Sequence, residues 1–149
     1  MTTETTAKSI EWPTLGLVFA TYVLWGVLLW MPLSSLVTVP ILALVITLHS
    51  SLQHEVIHGH PTPWPLVNAL LVWPAIGFFV PFSRFRDSHL AHHQDTRLTD
   101  PYDDPETNYF DPAVWARLPK AVQLVLRVNN TLAGRPILGP IIGTLMWLI

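Results

Sequence analysis

The chain has 149 residues, half of them apolar and only 12% charged, against the ~25% charged of an ordinary soluble domain. Its formal net charge is -2, so it lacks the basic surplus that marks a nucleic-acid partner, and its length suggests a single domain. It has no cysteine, which excludes disulfides, thiolate metal sites, iron–sulfur clusters and cysteine nucleophiles; a metal would be held by His, Asp, Glu or backbone oxygen.

Residues 1–11 are polar and Thr-rich and are expected to form a flexible tail ahead of a membrane domain over 12–149. Leu15 to Met31 carries no charge over 17 positions. As a helix it would be roughly 26 Å long, close to the width of a bilayer core. Trp12 and Trp30 flank it, where interfacial indoles settle. Only Lys8 precedes it and no A-x-A cleavage pattern follows, so it reads as a retained span rather than a signal peptide. Pro32 to Pro40 is expected to form a short turn. A second helix is expected from about Val37 to His58, with Gln53, His54 and Glu55 at its polar end. Gly59 supplies the stop, and Pro61, Pro63 and Pro65 prevent continuation.

Leu66 to Phe82 is a third apolar stretch, broken by Pro74 and Gly77. Every basic residue except Lys8 lies after position 83, which places that half on the cytoplasmic side of a cell membrane. Two spans also return the chain to the cytoplasm at His54–His60. A single crossing by Leu66 to Phe82 would then put the following polar segment on the opposite face from His54. A site shared by the two requires a re-entrant or interfacial hairpin, which Pro74 and Gly77 permit. Ser83 to Asp95 is polar, with histidines at helical spacing, and Thr96 to Pro112 is an acidic, Pro-rich loop. From Ala113 to Ala133, Val114, Leu118, Val122, Val125 and Leu126 recur at helical intervals, predicting one amphipathic helix on the membrane surface. Pro136 to Ile149 is apolar for 14 residues, short of the ~20 of a full span, so the chain is expected to stop inside a transmembrane helix. The fold class expected is all-α: multi-pass transmembrane helices, a re-entrant or interfacial hairpin and amphipathic surface helices.

All seven histidines lie between positions 49 and 93. Neutral imidazole is a good ligand for iron, zinc, copper and nickel. His54 and His58, at i and i+4, share one helix face, as do His89, His92 and His93. Five such ligands exceed the needs of one tetrahedral zinc and favour a dinuclear site or a metal of higher coordination number. His60 follows Gly59, so helix geometry does not fix its direction; it is a possible sixth ligand. His49 sits deeper in the second span and reads as a hydrogen-bonded core histidine. His54-Glu55-Val56-Ile57-His58 also matches the H-E-x-x-H zinc-protease signature, with Glu55 as general base; an intramembrane metalloprotease is the reading from a different class. It leaves the second cluster without a role. A membrane fragment without activity is the non-enzymatic alternative.

The two clusters together resemble the histidine boxes of the membrane fatty acid desaturase superfamily, which also holds carotenoid and lipid hydroxylases and ketolases. Its first box, H-x3/4-H, is matched by His54 and His58. Its second, H-x2/3-H-H, is matched by His89, His92 and His93. The likeness covers roughly residues 40–149, and the acidic loop Asp100-Pro-Tyr-Asp-Asp-Pro-Glu106 is similar to loops in bacterial members. The resemblance implies a non-haem centre of two iron ions, molecular oxygen as co-substrate, a membrane lipid or acyl chain as substrate, and electrons from an external protein such as a ferredoxin or a cytochrome. The family's third box, usually H-x2-H-H, has no counterpart, since no histidine follows His93. The chain is therefore expected to be the N-terminal part of the family's domain, with a ligand set it does not fill alone. Glu55 and Asp95 are candidates to orient ligand imidazoles, with Asp87 a weaker one. Arg84 and Arg86 read as interfacial anchors. Asp100, Asp103 and Asp104 lack EF-hand spacing and read as part of a turn-rich surface loop.

Overall fold

The computed structural model describes residues 9–77, 81–94 and 96–148. Among these residues there are helices and connecting turns and no strand, so the fold is all-α. The chain divides between residues 78 and 79 into two compact units.

The first unit holds helices α1 (Trp12–Trp30), α2 (Ser35–Ile57) and α3 (Pro65–Val72). Pro13 sits in the first turn of α1, where a missing N–H costs nothing. α1 and α2 are long and apolar enough to cross a membrane, with mean hydropathy 1.6 and 1.9. Only 17% of each hydrophobic window is buried within the protein. The core helix of a water-soluble protein would be mostly covered. Here Phe19, Trp30, Leu36 and Leu44 face outward instead, as lipid allows and water does not. Where α1 meets α2, Leu28 and Val45 pack with Ile76 from the segment after α3, surrounded by Trp25, Ile41, Leu42 and Ile46.

The turn expected over Pro32 to Pro40 is shorter than its sequence suggests. α2 begins at Ser35 and carries Pro40 inside it. Pro40 lies only five residues beyond the helix start, so it removes a single early ladder bond, and the apolar run around it supports continuation. The other end of α2 is as expected. Gly59 adopts φ 88°, its N–H bonds to Val56 O at 3.0 Å, and His60 N–H bonds to Glu55 O at 3.2 Å. These are the paired bonds of a Schellman stop.

Leu66 to Phe82 does not form one helix. α3 has 8 residues, roughly 12 Å, against a bilayer core of about 30 Å. Carbonyl groups at its end and just beyond find side-chain partners. Gln53 Nε2 donates to Val72 O at 3.4 Å and the Tyr22 hydroxyl to Pro74 O at 3.0 Å. Ahead of α3, the buried Asn68 accepts from the Thr62 N–H and hydroxyl and donates to Thr62 O. The helix in this stretch is therefore too short to cross a bilayer by itself, and residues 78–80 lie outside the described ones.

The second unit holds α4 (Phe82–Gln94), α5 (Pro112–Arg117), α6 (Lys120–Asn129) and α7 (Arg135–Leu148). The single amphipathic helix expected over Ala113 to Ala133 is two helices. Pro119 forces Leu118 out of the helical region, to ψ 142°, and the chain restarts at Lys120. The break is stitched by Gln123, whose buried amide donates to the Trp115 and Leu118 carbonyls at 3.0 Å each. Asp111 caps α5, accepting from the Ala113 and Val114 N–H groups.

Candidate metal centre

His54 and His58 occupy one face in the last turns of α2, with ring centroids 4.7 Å apart. Their candidate ligand nitrogens lie within 4.8 Å of each other. His60 stands just past the Gly59 stop. Its Nδ1 donates to Glu11 Oε1 at 2.6 Å, and Glu11 is itself fixed by its N–H on Pro61 O at 2.9 Å. The Glu55 carboxylate is 3.9 Å from His54 Nδ1 and largely exposed, beyond hydrogen-bond reach. It does not orient His54 as the sequence suggested. His49 is buried and bonds through Nε2 to the Tyr22 oxygen at 2.9 Å, the core role expected of it.

In the second unit, α4 presents His89, His92 and His93. His89 and His93 approach through Nε2 at 3.0 Å, and His89 is buried. Two nitrogens bound to one metal at about 2.1 Å would be about 3.0–3.4 Å apart over bond angles from square to tetrahedral. The pair therefore fits a metal ion by spacing as well as by donor type. His92 stands aside from that contact, with ring centroids 6.2 Å and 5.7 Å from His89 and His93.

The acidic loop is not simply a surface loop. Asp104 is 5% exposed and the loop is wound around it. Its Oδ2 accepts Thr99 N–H at 2.8 Å; its Oδ1 accepts Glu106 N–H at 2.9 Å and His92 Nδ1 at 2.7 Å. Thr99 takes the left-handed φ of 72° that lets its N–H turn inward. Glu106 meets His89 Nδ1 with both carboxylate oxygens, at 3.1 and 3.2 Å. Burial alone would raise the Asp104 carboxyl, but the Thr99 N–H, His92 and the Glu106 N–H outweigh it and hold it below the usual carboxylate range. The hydrogen bond to Asp104 raises His92 in turn, against a smaller opposing effect of burial.

These carboxylates were not singled out as orienting groups in the sequence. The available signal was an acidic run shortly after the second box, but Pro and Asp at this density read first as turns. Asp100 does serve that purpose, accepting from the Tyr102 and Asp103 N–H groups on an exposed turn. Asp87 is taken by Arg86 at 2.8 Å. Asp95 lies outside the described residues, as does Lys8.

A cavity of about 460 Å³ opens beside His92, Asp104 and Glu106, with Tyr109 and Arg135 on its wall. A groove of about 630 Å³ runs from Glu106 along α7 past Gly139, Pro140, Ile142 and Met146. Compared with known families, residues 29–147, well over half of the chain, match the model described as Fatty acid desaturase. Among curated proteins and among solved structures nothing matches.

Proposed function

The chain belongs to the fatty acid desaturase family, and on that premise we propose that it contributes two histidine boxes to a non-haem di-iron centre for the oxygen-dependent desaturation of a membrane lipid's acyl chain. The observation that carries this reading is the family match coinciding with two sets of imidazoles, one at the polar end of α2 and one on α4, the second of which already brings two Nε2 atoms to 3.0 Å. We assign the ligands to His54, His58, His89, His92 and His93, with His60 as a sixth.

An unactivated C–H bond has no acidity that a side-chain base can exploit. A bound pair of iron ions would supply the oxidising chemistry, with molecular oxygen as co-substrate and electrons from an external donor such as a ferredoxin or a cytochrome. The overall change removes two hydrogens from adjacent carbons; oxygen takes these, two further protons and two electrons to leave two waters. The chain's own residues hold, orient and exclude. α2 and α4 fix the imidazoles at one-turn spacing. Imidazole offers a metal a nitrogen lone pair without the negative charge a carboxylate ligand would bring. The apolar groove along α7 has a surface suited to an acyl tail. The charge asymmetry of the sequence supports placing both boxes at the cytoplasmic face of a multi-pass protein, with residues 12–149 as part of one desaturase domain.

The test is lipid analysis of cells expressing the chain together with a segment that supplies the family's third histidine box, and of the same pair carrying His93→Ala. Acyl chains that lose two hydrogens only with the unaltered chain are expected. An added oxygen instead would reassign the chain to lipid hydroxylation, and an unchanged lipid profile would contradict the activity.

A further inference from the structure

Three histidines of the proposed ligand set share a feature that the metal assignment does not require. In each, the ring nitrogen facing a carboxylate is Nδ1: His60 to Glu11 at 2.6 Å, His92 to Asp104 at 2.7 Å, His89 to Glu106 at 3.1 Å. An ionised carboxylate only accepts, so each Nδ1 must carry the proton and donate it. The lone pair of the neutral ring is then on Nε2. At His89 the Nε2 left with the lone pair lies 3.0 Å from His93 Nε2, a contact in which His93 would then be the donor.

The loop is shaped for this task. His89 and His92 lie one turn apart on α4. Asp104 and Glu106 are two residues apart, locked to each other by the Glu106 N–H on Asp104 Oδ1. Two carboxylates at loop spacing thus meet two imidazoles at helix spacing. A tether alone would have no preference between ring nitrogens, yet the same nitrogen is engaged three times, once by a residue 49 positions away.

We propose that Glu11, Asp104 and Glu106 are positioning residues that set the tautomer of His60, His92 and His89, so that each presents Nε2 as its metal-binding atom. This rests on the metal reading above. Carboxylates behind ligand imidazoles raise ligand basicity and fix ring orientation, and their loss typically weakens metal binding about 10–100-fold.

The experiment uses the full chain, labelled with ¹⁵N-histidine, stripped of metal in detergent micelles above the titration range of its histidines. Two-bond ¹H–¹⁵N correlations report each ring's tautomer, and an anaerobic titration with ferrous ion reports affinity. The Nδ1–H pattern is expected at His60, His89 and His92. In Glu106→Ala, His89 should lose that pattern and ferrous affinity should fall about ten-fold or more. Glu106→Gln, whose amide oxygen still accepts, should keep the pattern and lose less affinity, which separates orientation from misfolding. Nε2–H patterns at these three rings, or Glu106→Ala binding iron as tightly as the unaltered chain, would overturn the inference and leave the metal reading standing. Nδ1–H patterns in a chain that takes up no iron would support the tautomer assignment and overturn the metal reading instead.

Discussion

Tyr22 has one hydroxyl proton and two polar neighbours. It donates to the Pro74 carbonyl at 3.0 Å, so the His49 Nε2 at 2.9 Å must donate to it. The phenol thereby links α1, α2 and the segment that follows α3. Replacing Tyr22 with Phe keeps the ring and strands both partners. It should cost about 1–2 kcal/mol in unfolding from mixed micelles; a variant as stable as the parent would mean that the clamp carries no load. At this scale the legible residues were those whose type is itself chemistry. Six histidines in two groups point to a metal site, and His49 alone inside an apolar helix points to a core hydrogen bond. The carboxylates were hidden because their partners are remote in sequence. Asp104 reaches 12 residues back to His92, and Glu106 reaches 17 back to His89. No local pattern separates such an acid from a turn-forming one.

At the scale of elements, the two long apolar helices α1 and α2 were legible because length and apolarity are both plain in the sequence. The errors were at prolines. The turn expected over Pro32 to Pro40 overlaps a helix that starts at Ser35 and continues through Pro40. Pro119 was passed over although it breaks a helix in two. Apolar periodicity carries on across Leu118 and Val122, so the pattern conceals the interruption that backbone sterics impose. The α6–α7 turn shows the reverse case, a glycine with no sequence signal of its importance. A Cβ on Gly134 would lie 1.9 Å from the Val128 carbonyl oxygen and 2.9 Å from Thr131 Oγ1. Since Thr131 Oγ1 also accepts the Gly134 N–H at 2.9 Å, the turn has no room to yield. Gly134→Ala should destabilise the second unit by at least about 2 kcal/mol. It should also speed hydrogen exchange at the start of α7, while leaving exchange in α1 and α2 unchanged. Protection equal to that of the parent would refute the close packing described for this turn.

For the whole molecule, the proposal that both boxes work at one membrane face has a direct topological consequence. The chain has no cysteine, so a single introduced thiol can be labelled without background. Trp64→Cys, just after the first box, and Gln94→Cys, at the end of α4, both replace exposed residues. A membrane-impermeant maleimide should label both from the cytoplasmic side of oriented vesicles and neither from the other side. Labelling from opposite sides would make α3 and its flanks a crossing and would separate the boxes. The central claim, that the histidines hold iron, is tested most directly by metal analysis of the purified full chain after anaerobic reconstitution with ferrous ion and removal of excess. The account predicts stoichiometric iron that is lost on changing His58 or His93 to Ala. Zinc in its place, or iron retained in both variants, would contradict it.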